Sequence, residues 1–154
     1  MQFAQAFGHK RILTGEDEKV LNFLMGQGEE KVSASVALLI TKHSDKKRAE
    51  RFLIDCLAAF PHNRTNFLQA LSFLVAPESA SPVLNVLEEC KTKLADNNQD
   101  YESITDLIYC SAVLFKLLHQ SAYREQIASY LQHPLESIRT AARLCLDELP
   151  PGTE

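Results

Sequence analysis

Between Gly28 and Gly152 the chain contains no glycine. Glycine is the residue that tight hairpins use for positive φ, so so long a gap removes the usual material of β-hairpins. The six prolines, Pro61, Pro77, Pro82, Pro134, Pro150 and Pro151, fall where apolar periodicity stops or restarts. Proline lacks an N–H and clashes within a helix, so each marks a boundary. No stretch alternates apolar and polar residues long enough to require a strand. The expected class is all-α.

Reading the 3.6-residue periodicity between these marks gives eight helices, or nine if residues 3–7 form a short one. The first spans about 16–25 behind Thr14 as N-cap and stops at Gly26; the second spans about 29–43. Ser44 or Asp45 caps the third, about 46–60, whose stripe Phe52, Leu53, Cys56, Leu57 and Phe60 opposes Lys47, Arg48, Arg51 and Asp55. Asn63 is the expected cap of the fourth, reaching about 76, and Ser81 with Pro82 that of the fifth, to about 95. The sixth, about 101–119, is apolar on nearly every side, with Lys116 the sole charge after Asp106, and should lie enclosed by neighbours. Ser121 is the expected cap of the seventh, about 122–132. Pro134 opens the eighth, to about 149, where Leu135, Ile138, Ala142, Cys145 and Leu149 form the buried stripe.

At 154 residues, 45% apolar and 23% charged, the chain is expected to form one globular domain, 1–154. Its formal charge of −4 argues against general affinity for nucleic acid, which rests on surplus Lys and Arg, but allows a local basic patch. The four cysteines, Cys56, Cys90, Cys110 and Cys145, form no Cys-x-x-Cys pair and fall in apolar stripes, which points to buried reduced thiols. Residues 1–13 carry Gly8, His9, Lys10 and Arg11 without an apolar core, so no secretory signal is expected. The longest apolar run, from Leu107 to Leu118, is broken by Ser111 and Lys116 and falls short of the roughly 20 residues that span a bilayer. A cytoplasmic location without membrane contact is the expectation.

The helices group as four antiparallel pairs, at about 16–43, 46–76, 82–119 and 122–149. The last pair carries Leu131, Pro134, Ile138, Arg139, Ala141, Ala142 and Leu149, and with these residues it resembles a HEAT repeat. In that family a first helix ends in leucines, a tight Asp-Pro-like turn follows, and the second helix reads Val/Ile-Arg-x-Ala-Ala. His133 stands here where the family places the turn aspartate. The first pair echoes the pattern in Val20, Leu21, Phe23 and Leu24, then Val32, Ala34, Ala37 and Leu38. The resemblance implies a right-handed superhelix, a HEAT-like stack of about four helix pairs; an irregular bundle and TPR-like packing are the alternatives. It also implies that Arg139 ties a loop. The second helices would line a concave side, with Phe67, Leu71, Tyr109 and Arg143 as contacts for another protein.

Two charged patches stand out. Lys42, Lys46, Lys47, Arg48 and Arg51 crowd the segment 42–51 against Asp45 and Glu50, and form either a solvated turn or a knob for an acidic partner or a nucleic-acid backbone. Glu88, Glu89, Asp96, Asp100, Glu102 and Asp106 form the acidic counterpart, against Lys91 and Lys93. The histidines His9, His43, His62, His119 and His133 lack metal-ligand spacing, so neither metal nor cofactor is expected; His119 and His133 are read as helix-end residues favoured by the dipole. No Gly-x-Ser-x-Gly, P-loop or shared carboxylate pair points to catalysis. The expected function is a non-enzymatic protein-binding module: an adaptor, chaperone, inhibitor or scaffold. Nucleic-acid binding through 42–51 is the rival, and a pocket beside Tyr101, Tyr109 and His119 a third reading.

Overall fold

Thr14 accepts a hydrogen bond at its hydroxyl from the Asp17 N–H while the Asp17 carboxylate accepts one from the Thr14 N–H, both at 3.1 Å. This reciprocal cap, with Glu16, Asp17 and Glu18 favourably placed at the positive end of the dipole, starts helix α1, Gly15–Met25. The protein's structure is a computed structural model, which describes residues 14–150. The short helix expected near 3–7 lies outside these residues.

Eight α-helices and no strand are present among the described residues, an all-α fold. The contacts divide the chain into two compact units, Met1–Leu74 and Val75–Glu154. In the first, α1 pairs with α2, Glu30–Ile40, through a turn in which Gly28 takes φ 68°. Helix α3, Lys46–Ala59, then pairs with α4, Arg64–Leu74, and α2 also packs on α4. The stripes meet in a core of Leu21, Val36, Ile40, Leu53, Leu57, Phe67, Leu68 and Leu71, each at most 1% exposed.

In the second unit α5, Ala80–Asp96, packs along α6, Tyr101–Leu118, which also meets α7, Ser121–Ala128, and α8, Glu136–Glu148. Eleven residues of α6 are buried, as expected of a helix apolar on nearly every side. Ile104, Ile108, Ala112 and Phe115 of α6 form one cluster with Ile127 of α7 and Ile138, Ala142 and Cys145 of α8. Ala112 and Ala142 are small enough to let α6 and α8 approach. Leu135, expected to begin the α8 stripe, precedes the helix and is 38% exposed.

Helix starts depart from the expected caps where proline is involved. Pro61–Asn63 and Pro77–Ser79 form 3₁₀ turns that run into α4 and α5. Proline pre-sets φ for such a turn, so the helix is seeded there and needs no side-chain cap from Asn63 or Ser81. Asn63 instead donates from Nδ2 to Glu30 Oε1 on α2. Ser121 is already inside α7, with Gln120 at the N-cap. Of Ser44 and Asp45 it is Asp45 that caps α3, accepting from the Arg48 N–H, and Asp100, which was not among the expected caps, accepts from the Ser103 N–H, each at 3.1 Å.

Helix α4 ends at Leu74, and Val75 follows with φ 49°. The left-handed region costs an L-residue roughly 1–2 kcal/mol, and β-branched valine suits it poorly. Val75 is 45% exposed, so little burial is at stake. Glycine takes this conformation freely but gives back about 0.4–1 kcal/mol through the entropy of the unfolded chain. Val75→Gly is therefore expected to stabilise the protein by about 0.5–1 kcal/mol, read as a higher midpoint in urea at unchanged slope. An unchanged or lowered midpoint would rule out relieved strain.

Candidate functional site

The basic segment 42–51 does not act as one patch. Lys46 Nζ donates to the Thr41 carbonyl at 2.5 Å, which satisfies a free acceptor at the end of α2. Lys42 is half-buried in the same turn, and Lys47 is exposed on the first turn of α3. Arg48 and Arg51 are exposed and line an open cleft of about 220 Å³ with Met25 and Gly26 of α1 and with Phe52 and Asp55 of α3. Neither guanidinium makes a hydrogen bond or ion pair with another described residue. Phe52 was expected in the buried stripe. It is half-buried, because its position between Arg51 and Leu53 turns part of the ring to the cleft.

Polar bonds hold the turn before α3 against α1. His43 is buried, its Nδ1 accepting from the Asp45 N–H at 3.0 Å. That bond makes Nδ1 the unprotonated nitrogen and leaves Nε2–H to donate to Asn22 Oδ1 at 2.8 Å. Beside it, Glu18 accepts from the Ser44 N–H at 2.7 Å and from the Ser44 hydroxyl at 3.0 Å. Thus two side chains of α1 are joined to His43 and Ser44, the turn residues immediately before Asp45, which caps α3.

Those bonds from Ser44, the hydroxyl first and then the N–H, hold the Glu18 carboxyl below its ordinary value of 4.5. A carboxyl with a lowered folded-state pKa contributes stability above the ordinary value and loses it as pH falls through the folded one. Glu18→Gln is therefore expected to flatten the acid side of the stability curve below pH 4.5. Urea midpoints measured across that range check this, and an acid limb as steep as the parent's would exclude Glu18 as its source.

The remaining sequence candidates separate. Phe67 and Leu71, expected as partner contacts, are 0% exposed. They lie on the side of α4 that faces α2 and α3, so membership of a second helix does not put a side chain on the surface. Tyr109 is half-buried against the core of the second unit, and burial pushes its phenol above the ordinary value. Arg143 is exposed on α8, with one long contact of 3.4 Å to the Thr140 hydroxyl.

The acidic patch is largely occupied. Glu88 pairs with Lys91 at 3.7 Å and Glu89 with Lys93 at 3.5 Å; Asp100 caps α6, and Asp106 is buried. Tyr101 meets the His133 ring edge-on, with centroids 5.9 Å apart, and Tyr130 lies 6.3 Å from the same ring. His119 is the left-handed C-cap of α6, at φ 58°. His133 is not placed by a helix dipole: its Nδ1 accepts from the Leu135 N–H at 3.0 Å. Arg139 Nη1 donates to the carbonyls of His133 and Pro134 at 2.8 and 2.9 Å.

The four thiols are buried. Burial pushes Cys56 up to about 11 and Cys145 up to about 12, far from the range of a nucleophilic thiolate. Among the described residues no three His, Cys, Asp or Glu side chains converge to hold a metal ion, and no helix is long and apolar enough to cross a membrane. No protein-family model, curated protein or solved structure matches the chain.

Proposed function

We propose that the chain is a non-enzymatic protein-binding module: one HEAT-like helical-repeat domain, in the cytoplasm, that presents helix faces and inter-helix ends to another protein. The observation that carries this reading is the packing order inside each unit. Within the first, the second helices of successive hairpins, α2 and α4, lie against each other; within the second, α6 and α8 do. Hairpins too small to bury their own apolar stripes achieve burial in this way by stacking, and the outer faces remain as extended surface for a partner.

Two details of the last hairpin favour the HEAT-like version. His133 supplies, with an imidazole nitrogen, a turn acceptor of the kind that the family's aspartate provides, and Arg139 ties the same turn through two carbonyls. The exposed apolar side chains Phe23, Phe73 and Leu144, 66%, 52% and 54% accessible, are of the type that interface cores use.

Affinity capture from native cells at physiological salt, followed by mass spectrometry, tests the reading. The expected result is a defined protein recovered near equimolar ratio after nuclease treatment. Recovery of no protein would overturn it. Retention of nucleic acid alone, lost on raising the salt, would replace it with the rival.

A further inference from the structure

We infer that the cleft between the C-terminal end of α1 and the outer face of α3 docks an acidic segment of a protein partner, an apolar side chain entering it beside two carboxylates. This rests on the protein-binding reading above and names the chemistry of the partner.

Charge is the first support. Within 42–51 the two acidic residues are spent: Asp45 caps α3, and Glu50 is buried. Of the cations, Lys46 is bound to the Thr41 carbonyl, whereas Arg48 and Arg51 project at the cleft without a partner among the described residues. They stand three positions apart on one helix face, matched to carboxylates three or four apart on a facing helix. Asp55 follows Arg51 by four, but no ion pair within 4.0 Å joins them. Basic residues at 46, 47 and 48, with no acidic residue in the first turn of α3, also oppose the helix dipole. Their fields therefore add to a positive potential around the cleft.

Shape is the second. Met25 and Phe52 make part of the lining apolar, and Phe23 stands on the α1 face one turn before Gly26, 66% exposed. About 220 Å³ is below the roughly 300–1,000 Å³ of pockets that enclose a free ligand and suits a single anchored side chain. A nucleic-acid backbone fits less well, because a tract of phosphates needs a continuous run of cations and two arginines beside Asp55 do not supply one.

Fluorescence anisotropy with the full chain tests this. The probes are a labelled helical peptide with two Glu flanking a Leu, its Gln counterpart, and a single-stranded RNA of about 20 nucleotides, longer than the roughly 4–16 that one single-strand-binding module covers. The Glu peptide is expected to bind, more weakly as salt rises, and to lose affinity about tenfold or more on Glu-to-Gln exchange and in the Arg48→Glu/Arg51→Glu variant. Lys91→Glu/Lys93→Glu, a charge reversal on α5, is expected to bind it like the parent, and circular dichroism checks that both variants keep their helix. No binding of the Glu peptide, equal binding by the Arg48→Glu/Arg51→Glu variant, or tighter binding of RNA would overturn the inference. Capture of the same protein partner by that variant and by the parent would also sink the cleft while sparing the protein-binding reading; capture by neither would end both.

Discussion

Phe67→Ala is expected to destabilise the protein by about 3–5 kcal/mol, the cost of removing a buried aromatic side chain and leaving a cavity. The ring is 0% exposed on α4, surrounded by a core that includes Leu53, Leu57, Leu68 and Leu71, and its centroid lies 6.2 Å from that of Phe60. Marginally stable domains hold only about 5–15 kcal/mol in total, so this change alone approaches the margin of folding. Urea unfolding followed by circular dichroism measures it. A loss under about 0.5 kcal/mol, typical of a surface position, would return Phe67 to the surface role that the sequence suggested.

Ile108→Ala is expected to cost about 2–5 kcal/mol for the same reason in the second unit. Ile108 is 0% exposed on α6, the helix that meets α5, α7 and α8, so few directions remain in which neighbours can relax into the void. Leu144→Ala on α8, at a side chain 54% exposed, is the control and should stay within about 0.5 kcal/mol of the parent. For a single domain, Phe67→Ala and Ile108→Ala shift one shared transition. Two transitions moving independently would instead make Met1–Leu74 and Val75–Glu154 separate folding domains.

Helix content was legible because burial periodicity and proline are local signals. The stripe Ile138, Ala142, Cys145 and Leu149 is buried as its spacing implies, and Thr14 and Asp45 cap the helices they precede. Asn63, Ser81 and Ser121 carry the same chemical signal and do not cap. Asn63 and Ser81 fail because the 3₁₀ turns at Pro61 and Pro77 move the start of the helix, and Ser121 because α7 begins one residue early, behind Gln120; a cap is worth something only at one register. The cleft was half legible: the arginines stood out in a basic run, but Met25 and Gly26 lie more than 20 positions away and carry no signal of their own.

Composition and spacing by themselves determined that this chain is helical, where most helices lie, and which stripes are buried, since each of these depends on neighbours within a turn or two. Only tertiary packing decided that Phe67 and Leu71 face inward, that His43 and Ser44 join α1 to the turn before α3, and that Arg48 and Arg51 share a cleft with Met25 and Phe52. The reason is geometric. A helix has several faces, and which of them meets solvent depends on the helices that pack against it, residues far along the chain that no local pattern encodes.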